Sequence, residues 1–212
     1  MNASTFWTPP KSLWVFFASA VALFLLITPL WMQVSKWTSY PVASLAHVAL
    51  EQGARYWVRT VHSEPGRIEV ETRIRVVMPG NNRNLGVAEL VAEADPARYA
   101  YGLPLYLSLL LAARGRQAGK KALAGYLLLL IPQTFSLVLE ILRQIMVVGG
   151  RPGTLAVDQW QMEAIAMGYQ MGSLLLPTLA PVALWLVLER DFFRTVMVQG
   201  WLHRASETKD AG

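Results

Sequence analysis

The chain has 212 residues, of which 54% are hydrophobic and 16% charged, and its formal net charge is +5. This charged share lies well below the roughly 25% of ordinary soluble domains, so composition and long apolar runs predict a polytopic membrane protein with a small extramembrane part. The absence of cysteine excludes disulfides, thiolate metal sites and cysteine nucleophiles.

The chain opens with a short polar lead, residues 1–11, followed by a first predicted transmembrane helix over residues 12–34. Trp14, Trp31 and Trp37 lie near the two ends of this apolar run, where aromatic rings favour the lipid headgroup zone. The run is longer than the apolar region of a cleaved signal peptide, so we expect an uncleaved anchor.

Residues 35–95 lack an apolar run of spanning length and predict a small α+β extracytoplasmic domain, a helix plus a β-hairpin. Pro41–Val61 has the apolar spacing of an amphipathic helix. Arg67–Val77 alternates strictly between apolar and charged residues, which is typical of a half-buried strand. After a turn in Pro79–Asn84, Leu85–Ala94 predicts the returning strand. Whether the 67–77 strand pairs within the chain or with a partner is left open.

Three further apolar segments predict a total of four transmembrane helices. They are residues 96–113, 122–148 and 162–188. Asp95 and Pro96 mark the start of the first of these, and Pro104 predicts a kink inside it. Pro177 and Pro181 predict a bend in the last.

The remaining segments are loops and a tail. They are a basic loop at 114–121, a second loop at 149–161 and the tail 189–212. In the first half of the tail, helical spacing of apolar residues from Phe193 to Trp201 predicts an interfacial helix or a solvated helical extension.

Charge predicts the topology, because four spans place both termini on one side. That side then holds nine basic and four acidic residues, which accounts for the whole net charge of +5. Basic loops stay in the cytoplasm, so we expect both termini there and the 35–95 domain outside. The excess charge is thus a topology signal and a possible contact with anionic lipid, and it gives no support to nucleic-acid binding.

Polar side chains recur on one face of each of the last two predicted helices. Gln133, Glu140 and Gln144 share a face of the third helix, and Arg143 follows Glu140 by three residues. Such groups are costly in a spanning segment and face protein, water or each other. On the fourth helix, Glu163, Gln170 and Pro177 are spaced by seven, with Tyr169 beside Gln170. The candidate partner- or lipid-binding residues are therefore Gln133, Glu140, Arg143, Gln144, Glu163, Tyr169 and Gln170.

Hydrogen bonding between helices is the simpler interpretation of these polar faces. A catalytic carboxylate at Glu140 or Glu163 is a weaker one, because no nucleophile is paired with either, and no catalytic residue is assigned. The three histidines, His47, His62 and His203, are scattered, and neither a zinc motif nor a glycine-rich phosphate loop occurs. We expect no metal and no cofactor.

Three stretches together resemble a known family. They are YAYGLPLYLSLLLA at Tyr99–Ala112, LLLLIPQTFSLVLEILRQ at Leu127–Gln144 and GYQMGSLLLPTLAPVALWLVL at Gly168–Leu188. In sequence and order they are similar to the exosortase H-associated membrane proteins of bacteria. The resemblance implies a non-enzymatic accessory subunit of a protein-sorting system in the inner membrane, which binds an exosortase or its sorting-signal substrates. Exosortases use a cysteine with arginine and histidine, so this cysteine-free chain is not one itself.

Two other classes of function remain open. An integral-membrane enzyme acting on a lipid or lipid-linked substrate at the outer face would use Glu140 or Glu163 as base and Arg143 to hold a phosphate or carboxylate. A transporter or channel subunit would suit the kinked helices, but the sequence shows no inverted repeat. The oligomeric state is not predicted.

Overall fold

The computed structural model describes residues 13–79, 85–115, 117–149, 158–190, 192 and 194. Most of this part of the chain is helical, with one small antiparallel sheet. The predictions for residues 1–11, for the 80–84 turn, for most of the 149–161 loop and for the Phe193–Trp201 helix lie outside the described residues.

The described part of the chain starts with two consecutive helices, α1 (Leu13–Thr38) and α2 (Tyr40–Gly53). The second buries Val42, Ala46 and Leu50, one residue per turn. The predicted Pro41–Val61 helix is too long, because α2 ends at Gly53 and the next residues form a strand. This strand, β1 (Val58–Glu64), contains the β-branched residues Val58, Thr60 and Val61, which fit a pleated surface better than a helix.

The sheet has three strands instead of the predicted hairpin. Its order is β1, β2 (Arg67–Pro79) and β3 (Leu85–Ala94), with antiparallel pairing on both sides of β2. As the alternation predicts, β2 buries Ile68, Val70 and Ile74 and exposes its arginines at 67, 73 and 75. The 67–77 strand therefore pairs within the chain along both edges.

The predicted 96–113 helix is broken into α3 (Ala97–Ala100) and α4 (Gly102–Ala113). It starts where predicted, since the Ala97 N–H donates to the Asp95 carboxylate at 2.9 Å. The break follows from Pro104, which has no N–H to donate to Ala100. With 12 residues, α4 is shorter than a spanning helix, so four spans are not confirmed.

The last two segments are α5 (Ala118–Gly149) and a long composite helix. The composite helix consists of α6 (Gln159–Gln170), a π-helical turn (Met171–Leu175) and α7 (Leu176–Leu188). Among the described residues, three stretches are long and apolar enough to cross a bilayer: Trp14–Thr38, Ala118–Gly149 and Gln159–Leu188. These stretches make the chain a multi-pass membrane protein.

Two hydrophobic clusters organise the molecule. One joins α2 and the sheet to α5 and includes Leu50, Val70, Leu137, Ile141 and Ile145, all buried. The small domain therefore packs against a long helix and does not stand alone. Since α5 has 32 residues, it rises about 48 Å, which exceeds the roughly 30 Å of a bilayer's hydrocarbon core and leaves length to carry the domain.

The second cluster joins α1, α4 and α7. Within it, the Phe16 and Trp185 rings stack at 5.4 Å, and Tyr106 and Leu110 of α4 are fully buried. The short helix α4 is thus enclosed by its neighbours. Gly102, at its start, lies directly against the Pro177 carbonyl and the Pro181 ring of α7.

Candidate functional site

Four of the predicted site residues lie together where α5 meets the sheet and α6. We call Glu140, Arg143, Gln144 and Tyr169 the Glu140 cluster. Glu140 is only 5% exposed, and its two carboxylate oxygens each accept a hydrogen bond from Arg143 at 3.2 Å. The Gln144 Nε2 donates to the same carboxylate at 2.8 Å. The buried charge is thus compensated within a single helix face.

Gln144 also joins α5 to the edge of the sheet. Its Nε2 donates to the Glu93 carbonyl oxygen at 2.9 Å, and its Oε1 accepts from the Glu93 N–H at 3.3 Å. Glu93 lies in β3, an edge strand, whose outward main-chain groups would otherwise lack a strand partner. The side-chain amide therefore imitates one residue of a neighbouring strand.

Arg143 connects the cluster to the fourth predicted span. Its guanidinium carbon lies 4.3 Å from the centre of the Tyr169 ring, the geometry of a cation–π contact. The same guanidinium binds Glu140, so one side chain links α5 to α6 electrostatically. The cluster consequently connects three elements: α5, α6 and the edge strand β3.

Gln133 lies two turns before Glu140 and faces a different environment. It is 6% exposed and lines a cavity of about 10 Å³, roughly the space of one water molecule, together with Ser136 and Pro177. The sequence places Pro177 on one face with Glu163 and Gln170. In the structure, Pro177 faces the interior of the bundle, whereas Glu163 and Gln170 do not.

Glu163 and Gln170 are both exposed. Glu163 accepts a hydrogen bond from Gln159 Nε2 at 2.9 Å, one turn away on the same helix. Glu163 therefore does not join Glu140, Arg143 and Gln144 in the Glu140 cluster. The orientation of α6 about its own axis explains this. The face that contacts α5 contains Gly168 and Tyr169, so Glu163 points away from α5.

Sequence reasoning missed an ion pair at the opposite end of the helices. Lys121 Nζ lies 2.7 Å from the Glu189 carboxylate, which is only 3% exposed. Gly115 packs directly against that carboxylate, and the Tyr106 hydroxyl donates to the Lys121 carbonyl at 2.6 Å. Because Lys121 and Glu189 are 68 positions apart, no local spacing could have paired them.

Within the described ranges, no three His, Cys, Asp or Glu side chains are grouped so that they could hold a metal ion. The polar groups of the Glu140 cluster are also engaged with one another. The arrangement can hold elements together and present polar atoms at the edge of the sheet.

Comparison with known proteins gives one result. The family model described as exosortase H-associated membrane protein matches residues 10–192. No curated protein and no solved structure matches the chain. The match extends the resemblance of the three C-terminal stretches to most of the chain and includes the sheet domain. The chain therefore belongs to the exosortase H-associated membrane protein family.

Proposed function

We propose that this protein is a non-enzymatic accessory subunit of an exosortase-type protein-sorting system in the bacterial inner membrane. It binds the enzyme or the substrates that carry the sorting signal. The observation that carries this proposal is the family match over residues 10–192, and the family's description itself links the chain to an exosortase.

The proposed topology has four crossings, with both termini in the cytoplasm and the sheet outside. In support, residues 97–113 would rise about 25 Å as helix, close to the hydrocarbon thickness. α4 is enclosed by α1, α5 and α7, so its broken backbone is sheltered by protein. Irregular backbone is tolerated at membrane depth under that condition.

We propose that the partner contacts an exposed face of the fourth helix. This face, the Gln170 stripe, consists of Glu163, Met167, Gln170 and Leu174, which follow one another at helical spacing and are all exposed. An exposed amide on a helix apolar enough to span a membrane is unfavourable in lipid. A neighbouring transmembrane helix can satisfy it, with a typical gain of about 0.6–2 kcal/mol per hydrogen bond.

The Glu140 cluster has a supporting role in this proposal. Both oxygens of Glu140 accept hydrogen bonds from Arg143 and Gln144, so the carboxylate is engaged within α5, which does not favour the enzyme alternative. By connecting α5, α6 and β3, the cluster orients the sheet domain relative to the Gln170 stripe.

The test is purification of the tagged protein from its native membrane in mild detergent, with mass spectrometry of the proteins that accompany it. We expect an exosortase or proteins with a sorting signal in stoichiometric amounts. Gln170→Leu should reduce the recovered partner at least fivefold. Gln33→Leu, the same replacement at an exposed site near the end of α1, is the matched control.

A homo-oligomer that carries only lipid would contradict the accessory role. A partner recovered equally with wild type and with Gln170→Leu would overturn the Gln170 stripe as its contact surface and leave the accessory role in place.

A further inference from the structure

A second potential binding surface lies in the sheet domain, away from the polar faces of the helices. It is an open groove of about 440 Å³ where the end of α2 meets the start of β1. We call it the arginine groove. It is lined by Glu51, Gln52, Arg55, Val58, Arg59 and Arg73.

The charge in this groove is unbalanced, because three guanidinium groups face one carboxylate. Arg59 is held by Glu89, whose carboxylate lies 2.8 Å from its Nη1. Among the ion pairs formed by the described residues, none involves Arg55 or Arg73. The forked guanidinium group binds carboxylates in a planar, two-pronged geometry, so an anionic group is the natural ligand.

The groove is separated from α1, the helix from which the sheet domain emerges. The β1–β2 turn lies beside α1, since Gly66 packs against Lys36 near the end of that helix. The groove is at the opposite end of β1 and of α2, and α2, with 14 residues, is about 21 Å long. The groove therefore lies about 20 Å from the point where the domain leaves α1.

The shape and composition around the groove favour a protein segment over a small molecule. The groove is open and lies at the start of β1, an edge strand of the described sheet. Next to it, Tyr56 is 91% exposed, although a tyrosine ring is largely apolar. Exposed tyrosine and arginine together are the residue types enriched at protein interfaces.

We propose that the arginine groove binds an extended acidic segment of a partner protein. Arg55 and Arg73 hold its carboxylates, Arg59 is positioned by Glu89, and the Tyr56 ring covers the chain of the segment. This site shares no residue with the Gln170 stripe, so its experimental test is independent of the test of the accessory role.

The test uses the full chain in lipid nanodiscs and a fluorescent octapeptide of alternating glutamate and serine, with anisotropy as the readout. The peptide should bind, and binding should weaken as salt increases, because screening reduces the attraction between exposed charges. The double variant Arg55→Gln/Arg73→Gln should weaken binding at least tenfold. Arg98→Gln, an exposed arginine on α3, is the control and should bind as wild type does.

Three results would overturn the proposal. The first is the absence of peptide binding to wild type. The second is equal loss of binding in the Arg98→Gln control. The third is displacement of the peptide by inorganic phosphate at the concentration of the peptide, which would indicate a site for a small anion. Thermal unfolding of each variant, expected at the wild-type temperature, shows that any loss of binding is local.

Discussion

At the scale of single residues, Gln144 connects the Glu140 cluster to the sheet. It bridges the buried Glu140 carboxylate and the Glu93 main chain of the edge strand. An amide is needed there because it must donate and accept at once. The sequence shows the residue on a polar helix face but not its strand partner, which is 51 positions away.

We predict that Gln144→Ala lowers the free energy of unfolding by about 1 kcal/mol, the typical contribution of such hydrogen bonds. Gln144→Glu should lower it further, because the new carboxylate loses the donor and lies beside Glu140. Thermal unfolding in detergent measures both, with the exposed Gln170→Ala as control. A Gln144→Glu variant as stable as wild type would contradict the proposed bridge.

Gly125 offers a sharper test of packing within the bundle. A Cβ at this position would overlap the ring of Tyr106, which is fully buried. We predict that Gly125→Ala lowers the free energy of unfolding by about 1–3 kcal/mol, as overpacking does in other cores. Gly119→Ala, near the start of the same helix and with open space around its Cβ, should cause no loss. Equal unfolding temperatures for the two variants would show that α4 and α5 do not pack as described.

At the scale of elements, two irregular places in the helices lie close to prolines. Pro104 separates α3 from α4, and the π-helical turn Met171–Leu175 ends just before Pro177. In that turn the Leu176 N–H donates to the Met171 carbonyl, five residues back. Gly102 lies against the Pro177 carbonyl, so the two irregular places meet. The sequence predicted both irregularities but not their contact.

The Lys121–Glu189 pair links the beginning of α5 to the end of α7, and its strength can be measured. We predict that Lys121→Gln lowers the free energy of unfolding by about 3 kcal/mol, because it leaves a buried carboxylate without its partner. The double variant Lys121→Gln/Glu189→Gln should lose less than Lys121→Gln alone. A double-mutant cycle by thermal unfolding checks this, and strictly additive losses would rule out a direct pair.

At the scale of the whole molecule, the sheet domain packs against α5, a helix long and apolar enough to cross a membrane. α2 and the sheet bury Leu50 and Val70 against Leu137 and Ile141 of α5. Without a covering surface, the apolar face of the three-stranded sheet would be exposed to water, which is unfavourable. The second half of α5 provides that surface, so the domain and the membrane helices form one hydrophobic unit.

The four-crossing topology gives a prediction at this scale that the cysteine-free chain makes simple to test. Gly53→Cys and Gly119→Cys each add a side chain whose Cβ lies more than 4 Å from the rest of the described structure outside its own helical turn. We predict that a membrane-impermeant maleimide labels Gly53→Cys in cells with a permeabilised outer membrane. It should label Gly119→Cys only after the inner membrane is opened. Equal labelling of both would show that residues 96–113 do not cross.

By itself, the sequence determined the class of protein, the family, three of the four predicted transmembrane helices, the strands at 67–77 and 85–94 and the start of the broken helix at Asp95. All of these follow from local patterns: apolar run length, alternation of side chains and the chemistry of proline. It also placed Glu140, Arg143 and Gln144 close together on α5, since polar residues at helical spacing are visible in an apolar helix.

Only the tertiary structure decided how these pieces meet. The end of α2 and the existence of β1 depended on pairing with β2, which overrides helical spacing after Gly53. The rotation of α6 turned Tyr169 toward Arg143 and Glu163 away from Glu140. The Lys121–Glu189 pair and the arginine groove join residues far apart in the chain. Such contacts arise when separate elements pack together. They leave no periodic pattern in the sequence, so they cannot be predicted from it.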